Sequence, residues 1–417
     1  MKKMLLLSPG TILDDRYEVQ DNIAVGGFGA TYKVWDYKDK EIRALKEYFP
    51  QSISSRYPDG RIEPTNKAHQ EGFEHGKIRF IEEAEMLYHL NGLPQNGINR
   101  IVRLIDYFGA NDTKYYVMEY IDGHSLYDEL CEETEGLPYM QVIHYLEELC
   151  DGLEELHTKH GIFHRDISPE NIMLNKDGHV QLIDFGNARN LSARKGYTVV
   201  LKVAYAPLEQ YTSQGVQGAF TDVYSLAATT YHLLTGCIIP KAESRFGLGS
   251  DEPEEYAPLC EKKSEIPIQI SKAIDHALEL DMNNRTQSMK DFKRELGVEE
   301  LIRQERLKRG IPKPYYKILK GDESGTVMYL DSGKEMTIGR SMDADIHIGI
   351  NEYIGRIHCS LRFDTEEEMF YIKDFSKNGT YVNGKAIPQN QTIKVPVGAH
   401  IILANHIYEF ELGVKYE

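Results

Sequence analysis

The chain has 417 residues, of which 41% are hydrophobic and 27% are charged, which suits two or three folded domains and argues against overall disorder. Its formal net charge of −17 disfavours nucleic acid or an anionic membrane as partner, because both attract basic patches. The five cysteines form no C-x-x-C pair, which disfavours a disulfide framework or a zinc site. Because no apolar run approaches about 18 residues, we expect a cytoplasmic protein outside the membrane.

The first 300 residues change from β-type to helical patterning. Short alternating runs of apolar residues favour strands, and apolar residues at helical spacing favour helices. The predicted segments are strands within 11–50, a polar loop over 51–72, a helix over 73–90, strands near 101–107 and 115–120, and helices around 142–156, 222–235 and 268–296. A β-rich part followed by a helical part predicts a two-lobed α+β unit.

The C-terminal part has a different pattern. Residues 299–310 are dense in Glu, Arg and Lys, which predicts a solvated helix or a linker. From Tyr315 onward, short β runs are separated by Gly and Asn, and this spacing predicts an antiparallel β-sandwich.

Three features near the N-terminus are weak signals when taken one at a time. A glycine cluster, A-V-G-G-F-G-A-T-Y, lies between two predicted strands over 24–32. Its glycines would let the backbone fold over a polyphosphate, but most glycine-rich hairpins are only turns. Lys46 on a strand and Glu83 on a helix would ordinarily face solvent.

A second group of polar residues changes that balance. His164-Arg165-Asp166 is followed by Asn171 and then by Asp184-Phe185-Gly186. One carboxylate can accept the proton of a substrate hydroxyl, while a second carboxylate and an amide oxygen are ligands that suit Mg²⁺. Phosphoryl transfer needs this combination, together with a cation on the phosphates and a lid over them.

The order and spacing of these motifs resemble those of the eukaryotic-like (Hanks-type) protein kinase family. The resemblance covers about residues 11–297 and implies an N-lobe over 11–121 and a C-lobe over 122–297. It extends to Ala206-Pro207-Leu208-Glu209, to Asp222 at the start of a hydrophobic helix, and to Arg285 as the partner of Glu209.

The resemblance also implies roles for individual residues and the use of ATP and Mg²⁺. Lys46 would hold the α- and β-phosphates and pair with Glu83, Asp166 would be the catalytic base, and Asn171 and Asp184 would hold Mg²⁺. The nucleotide would contact Ala24, Gly26, Gly27, Gly29, Lys46, Met118, Glu119 and Ile121.

Three positions depart from the family pattern. Ala24 replaces the first glycine of the loop, Ser168 stands where a lysine is usual, and Lys202 stands where a threonine is usual. The last two suggest that the hydroxyl and the ammonium have exchanged places, so that Lys202 supplies the missing catalytic charge. In the alternative, Lys202 points to solvent.

Regulation by phosphorylation is a further expectation from the resemblance. Arg165 precedes the catalytic aspartate, and the activation segment offers three hydroxyl groups as autophosphorylation sites: Thr198, Ser192 and Tyr197. Activity that needs no phosphate is the alternative.

The C-terminal part resembles a forkhead-associated (FHA) domain over about 316–414, after a charged linker over 298–315. The matching blocks are T-I-G-R at 337–340, G-R-I-H at 355–358, and D-F-S-K-N-G-T with the following N-G at 374–384. The family's fold is an 11-stranded sandwich that binds phosphothreonine peptides through its loops.

By this resemblance Arg340 would contact the phosphate and Asn378 the peptide backbone, while His358 would brace the binding loop. Gly355 replaces the serine that normally grips the phosphate, and Arg356 and Lys377 are cations that could compensate. The alternative is a sandwich kept for docking or for holding the kinase in place.

Together these patterns predict a bilobal kinase fold followed by an all-β FHA sandwich. The predicted function is that of a bacterial protein serine/threonine kinase whose FHA domain recruits phosphorylated partners or its own phosphorylated segment. The alternative function is a pseudokinase adaptor that binds nucleotide and phosphopeptide without phosphoryl transfer.

Overall fold

A computed structural model of the chain divides into two compact units, Met1–Ile302 and Arg303–Glu417. The residues that the structure describes are 6–27, 29–91, 100–186, 189–190, 203–211, 215–247, 254–321, 323–349, 351–365, 367–404 and 406–416. Within these ranges, the helices are all too short or too polar to cross a membrane.

The first unit begins with a six-stranded antiparallel sheet in the order β1-β2-β3-β4-β8-β7. One face of this sheet buries an apolar cluster that includes Tyr17, Tyr32 and Val117, and the other face packs against the helix α1, Gln70–Asn91. The strands of this region are β1 Ile12–Leu13, β2 Tyr17–Val25, β3 Gly29–Asp36, β4 Glu41–Tyr48, β5 Ser54–Arg56, β6 Ile62–Pro64, β7 Leu104–Ala110 and β8 Thr113–Glu119.

The predicted loop over 51–72 was wrong, because β5 and β6 pair within it as a short hairpin. Gly60, in the turn, has φ of 94°, a conformation that glycine adopts without strain. Ile62 is fully buried, and the side chain of Arg56 forms an ion pair with the buried carboxylate of Glu47. These contacts order a segment whose polar composition favoured a loop.

The rest of the first unit is mainly helical, as predicted. The helix α4 lies in its core, with every residue from Thr221 to Thr235 buried. The helices are α1 Gln70–Asn91, α2 Leu126–Glu132, α3 Tyr139–His160, α4 Ala219–Thr235, α5 Ala242–Arg245, α6 Leu259–Lys262, α7 Ile268–Ala277, α8 Met289–Leu296 and α9 Val298–Arg309. Short strands lie between α2 and α4 or just before α2: β9 Gly123–Ser125, β10 Ile162–Phe163, β11 Ile172–Asn175, β12 Val180–Leu182 and β13 Arg189–Asn190.

The predicted helical segment over 268–296 is interrupted in the structure, which forms two helices there. The chain leaves the helix after Ala277, and α8 starts only at Met289. Polar side chains bond to the backbone between the two helices: Asp281 accepts from the backbone N–H of Asn283, and Ser288 caps α8 by accepting from Asp291. Such local bonds compete with helical hydrogen bonds.

The second unit is a sandwich of two sheets, in the orders β15-β14-β24-β23-β20-β21 and β17-β16-β18-β19-β22. Its core contains Phe363, Phe370 and Phe410, all fully buried. Of the nine strand pairs among its described residues, eight are antiparallel, as predicted, and the pair of β16 and β17 is parallel. The strands are β14 Pro312–Lys320, β15 Val327–Tyr329, β16 Met336–Gly339, β17 Ile346–His347, β18 Cys359–Asp364, β19 Met369–Asp374, β20 Thr380–Val382, β21 Lys385–Ala386, β22 Thr392–Val395, β23 His400–Leu403 and β24 Tyr408–Tyr416.

Candidate active site

Three predicted site residues meet in the first unit although they are far apart in sequence. The ammonium of Lys46, on β4, lies 3.3 Å from Oε1 of Glu83 on α1 and 3.0 Å from Oδ1 of Asp184, which follows β12. The Lys46 and Glu83 side chains are 17% and 6% exposed, whereas that of Asp184 is 44% exposed. The cluster therefore has a buried side and an open side.

Burial and charge act in opposite directions on this cluster. Burial alone would raise the pKa of Asp184, but the nearby ammonium of Lys46 and the hydrogen bond from it lower that pKa to about 2. Burial would lower the pKa of Lys46, and the carboxylates of Asp184 and Glu83 raise it well above its usual value. Burial raises the pKa of Glu83 despite the ammonium beside it. Lys46 and Asp184 are therefore charged at neutral pH.

The segment with Asp166 and Asn171 lies next to this cluster. The side-chain amide of Asn171 donates to the backbone carbonyl of Asp166 at 2.8 Å, and the Asp166 N–H donates to Nδ1 of His164 at 3.3 Å. Burial lowers the pKa of His164, while the carboxylates of Asp166 and Asp184 are both close enough to raise it. The buried ring of His164 thus lies between the backbone of Asp166 and the carbonyl oxygen of Ile183, the residue before Asp184, 3.3 Å from its Nε2.

Asp222 on α4 holds the backbone of that segment through two hydrogen bonds. Its fully buried carboxylate accepts the N–H of His164 at 2.8 Å and the N–H of Arg165 at 2.7 Å. Arg165 has φ of 64°, a strained conformation for a side-chain-bearing residue, so the anchor fixes a backbone that would otherwise relax. Burial alone would raise the pKa of Asp222, but the hydrogen bond with His157 lowers it, which keeps this anchor ionised.

His157 is a supporting residue that the sequence analysis missed. Its Nε2 lies 2.7 Å from Oδ2 of Asp222, and its side chain is buried. The sequence feature that could have pointed to His157 is its position beside Leu156, on the apolar face of α3 that is buried. A histidine at such a place is more often a core residue than a functional one, so the pattern alone did not single it out.

The glycines of the predicted phosphate loop have different surroundings. The N–H of Gly26 donates to the carbonyl of Gly29 at 2.9 Å, which closes the hairpin between β2 and β3. A Cβ at Gly26 or Gly27 would meet nothing within 4 Å, whereas a Cβ at Gly29 would lie 1.9 Å from the carbonyl oxygen of Glu47. Gly29 is therefore required by the close approach of β3 to β4. Ala24 is exposed and pairs with Thr31.

The residues predicted to contact adenine end β8 and begin the connection to the helical part. Met118 pairs with Ala44 on β4, and Ile121 packs in part against the main core. The carboxylate of Glu119 accepts the N–H of Arg103 at 2.9 Å. That bond ties the end of β8 to Arg103, the residue before β7.

The middle of the activation segment, residues 191–202, lies outside the described residues. Lys202 and the predicted phosphorylation sites Thr198, Ser192 and Tyr197 lie outside the described residues. Glu209 forms a two-pronged ion pair with Arg285, with distances of 2.6 and 3.2 Å, which confirms the predicted partnership. The hydroxyl of Tyr205 lies 2.8 Å from Nδ1 of His232 on α4, a second anchor that the sequence did not reveal.

In the sandwich, the predicted phosphopeptide residues lie on loops that are joined by hydrogen bonds to backbone carbonyl groups. The N–H of Arg340 donates to the carbonyl of Gly355 at 3.0 Å, and the side-chain amide of Asn378 donates to the carbonyl of Tyr353 at 2.7 Å. The side chains of Arg340, Arg356, Lys377 and Asn378 are all exposed.

His358 lies buried beneath these loops. Its Nδ1 accepts the N–H of Gly355 at 3.0 Å, and its Nε2 lies 3.1 Å from the carbonyl oxygen of Gly379. Burial lowers the pKa of His358. A neutral imidazole can accept at Nδ1 while it donates at Nε2, as this arrangement requires.

Comparison with known proteins agrees with this geometry. The family model of the protein kinase domain matches residues 17–295. The chain belongs to the protein kinase family. The model of the FHA domain matches residues 336–404. The predicted fold class, a bilobal kinase fold followed by an all-β FHA sandwich, is thereby confirmed.

The relatives of this kinase chain include several bacterial serine/threonine kinases. It is 28% identical over 297 residues to a probable serine/threonine-protein kinase of Clostridium acetobutylicum, which covers 69% of this chain and 40% of that protein. It is 32% identical over 227 residues to serine/threonine-protein kinase PknL of Mycobacterium tuberculosis, which covers 54% of this chain and 50% of PknL. The chain therefore spans about two-fifths of the first relative and half of the second.

Among solved structures, the kinase chain is similar to the apo form of PpkA-294. The TM-score is 0.60 at 28% sequence identity, and the match covers 70% of this chain and 99% of that one. Together with the bacterial relatives, this likeness confirms the predicted resemblance to Hanks-type bacterial kinases that carry an FHA domain.

Proposed function

We propose that this chain is an active protein serine/threonine kinase, which transfers the γ-phosphate of ATP to hydroxyl groups of proteins. The observation that supports the proposal most strongly is the position of Lys46 between two carboxylates, 3.3 Å from Glu83 and 3.0 Å from Asp184. A lysine held in this way presents a fixed positive charge, which is what the phosphates of a nucleotide require.

The residues at the open side of the cluster suit Mg²⁺. Both hydrogen bonds that Asp184 accepts from described residues, from Lys46 and from the N–H of Gly186, go to Oδ1 of a carboxylate that is 44% exposed. Because the nitrogen of the Asn171 amide donates to Asp166, its oxygen is directed elsewhere. A charged carboxylate and an amide oxygen are the hard ligands that this ion prefers. Bound there, Mg²⁺ would neutralise charge on the phosphates.

In the proposed reaction, the oxygen of the substrate hydroxyl forms a bond to the γ-phosphorus. The bond from that phosphorus to the bridging oxygen of ADP breaks, and ADP keeps the electron pair. The carboxylate of Asp166 accepts the hydroxyl proton, and Lys46 holds the nucleotide phosphates in place. Gly26 and Gly27, which lie in the open, cover the phosphates.

We further propose that Lys202 replaces the lysine that the family usually has at the position of Ser168. The side chain of Ser168 is buried, and its neutral hydroxyl cannot supply a positive charge to the nucleotide. Substitution of Lys202 by Ala should then lower kcat steeply with little change in ATP affinity. An unchanged kcat would mean that Lys202 does not supply the missing charge, as the solvent-facing alternative predicts.

Autophosphorylation with labelled ATP and Mg²⁺ tests the kinase proposal, with Asp166→Ala as the control. Label in the wild type alone supports an active kinase, and mapping would show whether Thr198, Ser192 or Tyr197 receives it. A folded wild type that transfers no phosphate to itself or to a general protein substrate would instead support the pseudokinase adaptor.

We also propose that the sandwich binds phosphothreonine peptides at its joined loops. The support is that Arg340, Arg356 and Lys377 are three exposed cations on loops that hydrogen bonds and His358 hold together. Charge-assisted bonds from several cations would take over the role of the missing serine at Gly355. Anisotropy of a labelled phosphothreonine peptide, compared with its unphosphorylated form, tests this. Equal binding of the two would exclude phosphate recognition.

Within this proposal the partners are protein substrates and phosphothreonine proteins. The cytoplasmic location and the absence of nucleic acid or membrane partners stay predictions from composition and charge.

A further inference from the structure

Two adjacent tyrosines on β8 hydrogen-bond to two buried glutamates on opposite faces of the sheet. Tyr115 and Tyr116 pair across the sheet with Glu47 and Lys46 of β4, respectively. The hydroxyl of Tyr115 donates to Oε1 of Glu47 at 2.5 Å on the outer face, and that of Tyr116 donates to Oε1 of Glu83 at 2.7 Å on the cleft face. The alternation of side chains along a strand produces this division.

Tyr116 contacts both members of the ion pair that fixes the phosphate-binding lysine. The Glu83 oxygen that accepts its hydroxyl is the one that lies 3.3 Å from the Lys46 ammonium, and that ammonium is 5.4 Å from the centre of the Tyr116 ring. The ring also packs against Phe80, one turn before Glu83 on α1, with 4.7 Å between ring centres. Tyr116 is almost completely buried, so these contacts are shielded from water.

We propose that Tyr116 is a positioning residue for phosphoryl transfer, whose hydroxyl holds Glu83 and, through it, both α1 and Lys46 in the arrangement that receives ATP. The inference rests on the proposed kinase function. It adds a residue to the site that none of the kinase motifs contains, because Tyr116 lies two positions before Met118 in a strand known only for its apolar pattern.

The physical reason is the burial of Glu83. Among the described residues, the charged and titratable groups that face its carboxylate are Lys46 from β4, Tyr116 from β8 and Asp184 after β12. Burial and the negative charge of Asp184 favour the protonated form of Glu83, while Lys46 and the Tyr116 hydroxyl favour the carboxylate. Without that hydroxyl, the Glu83 carboxylate would lose one of the two groups that bond to its Oε1, the other being Lys46.

The test compares Tyr116→Phe with the matched control Tyr115→Phe. Each variant keeps the aromatic ring but removes one buried hydroxyl on β8, so that a buried glutamate loses one hydrogen-bond donor. For Tyr116→Phe we expect kcat/KM for ATP to fall about tenfold, the loss of one hydrogen bond to a charged group. The acid limb of its pH profile should move to higher pH. For Tyr115→Phe we expect a similar loss of thermal stability, but its kinetics should be those of the wild type.

A double-mutant cycle checks that the effect passes through Glu83. In a Glu83→Ala background, Tyr116→Phe should cause no further loss of kcat/KM. A full additional loss there would overturn the proposal, as would wild-type kinetics for Tyr116→Phe or equal kinetic losses in the two tyrosine variants.

A measurement that needs no catalysis separates this proposal from the kinase proposal. The carboxyl ¹³C signal of Glu83, assigned by its loss in Glu83→Gln, reports the pKa of that group in the nucleotide-free protein. We expect a higher pKa in Tyr116→Phe and an unchanged pKa in Tyr115→Phe. If the wild type is inactive but shows this pattern, the kinase proposal is wrong while the contact between Tyr116 and Glu83 is supported. An unchanged pKa of Glu83 in both variants would refute the role of Tyr116.

Discussion

The cleft of the first unit and the loops of the sandwich hold their charged residues in opposite ways. In the cleft, Lys46 is 17% exposed and lies between two carboxylates, so each charge depends on its partners. In the sandwich, the side chain of Arg340 is exposed, and its loop is held by backbone hydrogen bonds and by His358. A substitution in the cleft should therefore disturb neighbouring groups, whereas one in the loops should remove only its own contact.

The largest effect is expected from Asp184→Asn, which removes the charge at the open side of the cleft. Because the pKa of Asp184 is about 2, the carboxylate is ionised throughout the neutral range. Its neutralisation should lower kcat about 10³-fold, the scale seen when a charge-stabilising group is lost from an active site. Steady-state phosphorylation of a protein substrate measures this.

The matched control for that substitution is Asp177→Asn, an exposed aspartate on the turn between β11 and β12. It should keep the activity of the wild type. A similar loss of activity in both variants would mean that general surface charge, rather than the Asp184 carboxylate, supports turnover.

A stability measurement tests the dependence of buried charges on their partners. Arg285, whose side chain is 0% exposed, pairs with Glu209, so Arg285→Ala would leave a buried carboxylate without its cation. We expect the free energy of unfolding in urea to fall by about 3–5 kcal/mol. Arg294→Ala, which breaks a pair whose arginine is 70% exposed, should change it by less than about 1 kcal/mol. Equal losses of unfolding free energy in the two variants would mean that burial does not explain the cost of breaking the pair of Arg285 and Glu209.

For the sandwich, Arg340→Ala should weaken binding of a phosphothreonine peptide by about tenfold or more, the value of a charge-assisted hydrogen bond. The melting temperature should stay the same, because the backbone N–H of Arg340 still donates to Gly355. Peptide anisotropy and calorimetry measure the two quantities. Lys317→Ala, an exposed cation on β14, is the control and should bind like the wild type. A lower melting temperature for Arg340→Ala would show that its side chain holds the loop.

The sequence predicted those parts of the fold and site that depend on local pattern or on a motif. Alternating apolar residues revealed the strands around Lys46, and the spacing of Asp166, Asn171 and Asp184 indicated one site. It failed where a distant contact decides the local structure. The hairpin of β5 and β6 depends on Arg56 reaching the buried Glu47, which no local pattern contains.

Supporting residues were hidden for a similar reason. Tyr116 and His157 belong to apolar stripes, where an aromatic ring or a histidine fits a core as well as a site. Their roles depend on hydrogen bonds to Glu83 and Asp222, which lie 33 and 65 positions away in the chain. Only the folded arrangement shows those partners.

The smallest effect is expected at Gly355, where the FHA family usually has a serine. A Cβ at this position would lie 2.9 Å from the carbonyl oxygen of Ile357 and 3.3 Å from Cα of His358, so the loop must move to accept any side chain. Gly355→Ser should therefore lower the stability of the sandwich by about 1 kcal/mol, the low end of the effect of overpacking. It should not improve peptide affinity.

Gly355→Ala separates the two components of that substitution, since it adds the Cβ without the hydroxyl. If both variants lose the same stability in thermal unfolding and neither binds the phosphothreonine peptide more tightly, the loop is shaped around glycine and its cations carry the recognition. If Gly355→Ser binds more tightly at unchanged stability, the loop can accept the serine. The exposed cations would then replace the serine hydroxyl only in part. The contrast between coupled charges in the cleft and independent contacts in the loops would hold for Arg340 but not for Gly355.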